Sequence, residues 1–117
     1  MAGHKQVSFT VPAGSGTYAT EELYLTSSGL ATDIAIEHGV CQVSVVVGTI
    51  VTAAAIEVDL LKPAGDPEVA GDWLLAVKSL TPAGLQAVIE LANWRGVRIR
   101  AKSGGTAGTQ VVSACWR

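Results

Sequence analysis

The sequence predicts an all-β chain, a single antiparallel β-sandwich or jelly roll of about eight or nine strands. Apolar and polar residues alternate with period 2 in short runs along most of the chain, and clusters of Gly, Pro and Ser punctuate those runs. That spacing belongs to sandwiches and jelly rolls. At 117 residues the chain has the size of one domain. The expected layout is one domain over 1–117 with a short N-terminal arm, about residues 1–5, ahead of the first alternating run.

Gln6 to Val11 is the first predicted strand, with Val7, Phe9 and Val11 on one face, and Pro12 with Gly14-Ser15-Gly16 ends it. Glu21 to Thr26 follows and runs into Ser27-Ser28-Gly29. Asp33 to Glu37 sets Ile34 and Ile36 on one side before His38-Gly39. Cys41 to Val47 is apolar at nearly every position, the composition of a strand covered on both faces. In Ala55 to Leu61, Ile56, Val58 and Leu60 stand opposite Glu57 and Asp59, and the stiff, non-helical Pro63-Ala64-Gly65-Asp66-Pro67 closes it.

Asp72 to Leu80 places Trp73, Leu75 and Val77 in one row, which assigns Trp73 to the core. Thr81 to Ala92 fits two patterns. Thr81 and Pro82 can cap a short helix, whereas Leu85, Ala87, Ile89 and Leu91 line a strand face; the β surroundings and Gly84 in the first turn favour the strand. Val97, Ile99 and Ala101 then alternate with Arg98, Arg100 and Lys102, a half-buried strand with a basic outer row. Gln110 to Trp116 is expected to pair back on it as a hairpin through the small-residue loop Ser103 to Thr109.

Charged residues make up only 15% of the chain, against about 25% in an average soluble domain. Interface cores are depleted of charge, so part of the surface is expected to be covered by neighbouring subunits, the alternative being a surface of Thr, Ser and Gly. A net charge of −2 supplies no attraction for nucleic acid or anionic lipid. The longest apolar stretch, around Val43 to Ile56, is interrupted by Ser44, Gly48, Thr49 and Thr52 and suits strands rather than a membrane helix. No secretory leader is expected in front of Val7, Phe9 and Val11, which points to cytoplasmic synthesis.

Candidate sites are few. Neither Gly14-Ser15-Gly16 nor Ser103 to Thr109 is followed by the Lys-Ser/Thr pair of a phosphate loop. His4 and His38 lack ligand spacing, and Cys41 and Cys115 are expected as reduced, metal-free thiols. Glu21 and Glu22 are adjacent and point to opposite faces of a strand. No arrangement of a catalytic nucleophile or base stands out, so no enzyme, metal or cofactor is expected.

What remains is association. Glu57 and Asp59 form an acidic row that either faces solvent or meets Arg98 and Arg100, across strands or across a subunit boundary. Trp94 and Arg95 stand at a strand entrance and Trp116 beside Arg117, and Trp with Arg is enriched at interface hot spots. The candidate interface is therefore Trp94, Arg95, Arg98, Arg100, Trp116, Glu57 and Asp59, with closure of the sandwich edge as the alternative role of the two tryptophans.

Val58 to Leu60 before a turn, Asp72-Trp73 opening a strand, and Leu91 through Val97-Arg98-Ile99-Arg100-Ala101 into Ser103-Gly104-Gly105-Thr106-Ala107-Gly108-Thr109 cover roughly the C-terminal half. In these features the chain resembles the small β-sandwich virion proteins of tailed bacteriophages, such as head decoration, head-fibre and tail accessory proteins. The resemblance implies a non-enzymatic virion component, first of all a capsid decoration (cement) protein that stabilises the shell by multivalent, symmetric contacts. Its partners would be the major capsid protein or other virion subunits, with homo-oligomerisation and neither nucleic acid nor membrane. A tail or head-fibre component is the nearest alternative, and a carbohydrate-binding sandwich the alternative of another class.

Overall fold

In the computed structural model, the residues described are 3–26, 34–35, 42–47, 53–66, 68–80, 86–90 and 96–117. They form an all-β structure with strands β1 (Gly3–Val11), β2 (Leu23–Thr26), β3 (Ile34–Ala35), β4 (Gln42–Val47), β5 (Ala53–Leu61), β6 (Trp73–Leu80), β7 (Gln86–Glu90), β8 (Gly96–Ser103) and β9 (Gly108–Trp116). A 3-10 turn, Ala70–Asp72, precedes β6. The strands lie in a four-stranded sheet of order β1-β9-β4-β7 and a five-stranded sheet of order β3-β2-β8-β5-β6. Pairing is antiparallel throughout except between β2 and the two-residue β3, which run parallel.

Period-2 patterning builds the core between the sheets. Phe9, Val11, Val43, Val45, Val47, Val112 and Ala114 face inward from the four-stranded sheet. Leu23, Leu25, Ile56, Val58, Leu60, Val97, Ile99 and Ala101 meet them from the other. Burial of each large side chain here contributes about 1.5–3 kcal/mol. Val7, Val77 and Trp116 pack partly buried at the rim.

The last two strands do not form a hairpin. β8 lies between β2 and β5, and β9 lies between β1 and β4, so both edges of each strand are already taken. The small-residue connection is an arch from one sheet to the other. It lets Ile99 and Ala101 face Val112 and Ala114 through the core instead of along a ladder. Ser103 secures the start of the arch, its hydroxyl donating to the Pro12 carbonyl at 2.5 Å and accepting from the Gly105 N–H at 3.0 Å.

Three further expectations change. Gly3 to Lys5 belong to β1, paired with Trp116 to Ala114, and are not a free arm. β4 is covered on one face only: Val43, Val45 and Val47 are buried, Ser44 is half-buried and Val46 is exposed on the outer face. Trp73 is buried but does not share a core row with Leu75, which is 57% exposed. Within the predicted run Thr81 to Ala92, Gln86–Glu90 is a strand, as the alternation favours. Residues 81–85 and 91–95, with Cys41, Ile36 and His38, lie outside the described residues.

The Trp73 row fails because β6 is bulged. Val58 pairs with Lys78 and Leu60 with Leu74, so the single residue Asp59 on β5 faces three residues, Leu75 to Val77. Ala76 takes up the excess with a left-handed backbone, φ 51°. Upstream, the turn after β5 is closed by the Gly65 N–H on the Lys62 carbonyl at 2.8 Å. A side chain at Gly65 would approach that oxygen to 2.9 Å, which requires glycine there.

The left-handed conformation disfavours alanine, and the Ala76 side chain is exposed. Ala76→Gly is therefore expected to stabilise the protein by about 0.5–1 kcal/mol, the relief of strain less the added chain entropy of glycine. Thermal melting checks it: a melting temperature that rises by a few degrees agrees, and one that falls would contradict the bulge geometry.

Candidate functional site

The outer face of the five-stranded sheet carries the charged residues. Asp59 and Glu57 point away from the core on β5, and Arg98 and Arg100 do so on β8, because their neighbours Val58, Leu60, Val97 and Ile99 point inward. The register sets Asp59 directly opposite Arg98 and Glu57 directly opposite Arg100. On the far side of β8, Tyr24 stands opposite Arg98. Tyr18 stands opposite Lys102, in a segment held to β8 by the Ala19 N–H on the Ala101 carbonyl and the Ser103 N–H on the Thr17 carbonyl.

Asp59 is the centre of the cluster and is completely buried. Its Oδ2 accepts from Arg98 Nε and Arg100 Nε, each at 2.7 Å. Its Oδ1 accepts from Arg100 Nη2 at 3.0 Å and from the Ala76 backbone N–H at 2.8 Å. Four donors fill the acceptor capacity of a carboxylate, which is the condition for burying one. The fourth donor is the bulge residue, so the same carboxylate holds the edge strand in place.

Glu57 completes the cluster, its Oε1 accepting from Arg100 Nη2 at 3.0 Å and from the Tyr18 hydroxyl at 2.7 Å. Aromatic rings cover the guanidinium groups: Arg98 lies 4.6 Å from the Trp73 ring centroid and Arg100 4.4 Å from that of Tyr18. Tyr24 meets Trp73 edge-on at 5.8 Å and donates to Glu22 at 2.7 Å. The Arg98 and Arg100 side chains retain 13% and 11% exposure.

The environment shifts several groups. The hydrogen bond to Glu57, then burial, raises the Tyr18 phenol, and burial followed by the bond to Glu22 raises that of Tyr24. Burial alone would lower the Arg100 guanidinium, but its bonds and charge pairing with Asp59 outweigh it and hold it above its ordinary value. Asp59 accepts on both oxygens and Glu57 on Oε1, each from donors fixed on neighbouring segments of the chain. The geometry of the cluster is that of a structural keystone.

Of the residues singled out from sequence, Glu57, Asp59, Arg98 and Arg100 come together across strands of one chain, and the row is buried rather than solvated. Trp116 is elsewhere, on β9 opposite Gly3 and Val43. Its half-buried ring lies over Gly3, where a Cβ would come within 2.3 Å of it. The indole thus closes one end of the sandwich beside a cleft of about 300 Å³ lined by Gln42, Ser44, Cys115 and Arg117. Trp94 and Arg95 lie outside the described residues.

Tyr18, Tyr24, Trp73 and the Ala76 N–H were not among the sequence candidates. Tyr24 alternates with Leu23 and Leu25 and so is legible as outward-facing, but its place beside Arg98 depends on a register that the sequence does not reveal. Cys115 is exposed and free, opposite His4 on β1. Among the described residues, no group of three or more His, Cys, Asp or Glu side chains is placed to hold a metal ion, and no helix is long and apolar enough to cross a membrane. No protein-family model, curated protein or solved structure matches the chain.

Two outcomes follow for this cluster. Asp59→Ala leaves two guanidinium groups without their shared carboxylate, and urea denaturation is expected to show a loss of about 3–5 kcal/mol, against at most about 1 kcal/mol for a solvated row. Arg98→Glu with Arg100→Glu, which crowds four carboxylates together, is expected to abolish folding of the isolated chain. A thermal melt of the double variant matching that of the parent would show the cluster to be dispensable.

The tyrosines provide a pH test, since Tyr18 and Tyr24 are the only two in the chain. Their folded pKa values lie above the ordinary 10.0, so the native state holds these protons more tightly than the unfolded state. The associated stability is fully present below pH 10 and is lost as pH rises through the folded values. Alkaline titration of the phenolate absorbance should show both groups ionising above pH 10 and together with unfolding. A tyrosine that titrates at its ordinary value in the folded protein would contradict the arrangement.

Proposed function

We propose that this chain is a non-enzymatic structural protein of a phage virion, a capsid decoration protein that attaches to a shell lattice and stabilises it by repeated contacts. The all-β sandwich agrees with the fold that the resemblance implies. The observation that carries the reading is where the polar and apolar groups lie. Four charges of the five-stranded face, Glu57, Asp59, Arg98 and Arg100, are closed on one another, while Leu74 and Leu75, at 46% and 57% exposure, stand on the rim of the edge strand β6. Exposed apolar side chains on a rim are the material of a protein-protein contact.

Attachment through side chains suits β6, because its bulge and left-handed Ala76 interrupt the backbone edge and oppose addition of another strand. The carbohydrate-binding alternative loses support at the same face. Sugar stacking needs open aromatic surfaces, and here Trp73 is buried against Arg98 and Tyr18 gives one face of its ring to Arg100.

The test is co-sedimentation with capsid shells, lacking this protein, of the phage that encodes it. The parent chain should saturate the shells, and Leu74→Glu with Leu75→Glu should lower occupancy by about tenfold or more, since a charge buried unpaired at an interface is costly. Far-UV circular dichroism should be unchanged, because both side chains are exposed. A variant that decorates shells to the parental level would exclude the rim as the docking surface, and a parent chain that binds no shell would exclude decoration.

A further inference from the structure

Strand β1 is an edge of the four-stranded sheet, paired with β9 on one side through nine residues in unbroken register, Gly3 to Val11. It has neither the bulge that interrupts β6 nor a proline before Pro12. The Thr10 N–H points away from β9, since it donates to Glu21 Oε1 at 3.0 Å. Backbone groups alternate along an antiparallel strand, so those of His4, Gln6 and Ser8 point the same way as those of Thr10. All three residues are exposed. Glu21 caps the ladder at Thr10 and, among the described residues, leaves His4 to Ser8 as an open window.

We infer that this window pairs with the same window of a second copy, antiparallel and centred on Gln6, so that the two four-stranded sheets join into one continuous sheet. The register is self-complementary. With Gln6 on the two-fold axis, His4 lies opposite Ser8 of the second copy and Ser8 opposite its His4. All of these residues direct N–H and C=O groups across the seam, closing about six backbone hydrogen bonds. Lys5, the one Lys or Arg of the strand, falls opposite Val7 of the second copy, so no like charges face each other. A heterologous strand would satisfy the same backbone groups but would not need this symmetry.

The seam does not depend on the virion reading, because it forms in solution whatever the rim of β6 contacts. Sedimentation equilibrium on the full chain from about 10 µM to about 1 mM, the range of weak to moderate affinities, should show the mass rising from 12.0 kDa towards twice that value. Gln6→Pro removes an N–H that β9 does not use, and proline is tolerated on an edge strand in that orientation. It should weaken the dimer by about tenfold or more, because each copy loses a ladder bond at the centre. Gln6→Asp, which sets two carboxylates face to face on the axis, should weaken it as well and serves as the second probe if Gln6→Pro perturbs the fold. A parent chain that stays at 12.0 kDa throughout, or a dimer whose midpoint neither variant moves while circular dichroism remains native, would overturn the pairing.

Discussion

A carboxylate without access to water is stable in a protein only when nearly every lone pair has a donor and its charge has a counter-charge. Asp59 meets both conditions within one sheet, with three guanidinium bonds and one backbone N–H. The effective cost of taking such an ion out of water is several kcal/mol, so the surrounding groups must be held as firmly as the ion. That requirement organises the whole outer face. It aligns β5 with β8 in the register that opposes Asp59 to Arg98, holds the three-residue bulge of β6, and brings Trp73 and Tyr18 over the guanidinium groups.

The two sheets consequently present different surfaces. The five-stranded sheet turns four of its charges on one another beneath aromatic cover and exposes Leu74 and Leu75 at its rim. On the outer face of the four-stranded sheet, the register sets His4, Cys115 and Ser44 in one row and Gln6, Ser113 and Val46 in the next. A chain with few charged residues that commits four of them to one internal cluster leaves much of its surface to hydroxyl, amide and aliphatic groups.

The inward rows were legible in the sequence because a strand buried on one face writes its burial as alternation, as in Val7-Phe9-Val11 and Val97-Ile99-Ala101. Pairing was not legible. The run from Arg98 to Trp116 has the local pattern of a hairpin, and only the occupation of both edges of β8 and β9 by distant strands makes it an arch. For the charged cluster, the alternation of Glu57 and Asp59 and of Arg98 and Arg100 revealed two outward rows. Their meeting within one chain, and their burial, follow from non-local register and from rings supplied by Tyr18 and Trp73. The bulge at Ala76 had no sequence signal, because glycine, the usual mark of a left-handed residue, is absent there.

The most direct test of the claim that this cluster is an internal keystone is a double-mutant cycle between Asp59 and Arg98, using Asp59→Asn, Arg98→Met and the pair, measured by urea denaturation of the isolated chain. Coupling separates the interaction from the cost of each substitution. A buried, bonded pair in a shared network predicts a coupling of about 1.5 kcal/mol or more, whereas a solvated row predicts about 0.5 kcal/mol or less. The larger value would support the arrangement described here, and the smaller one would contradict it.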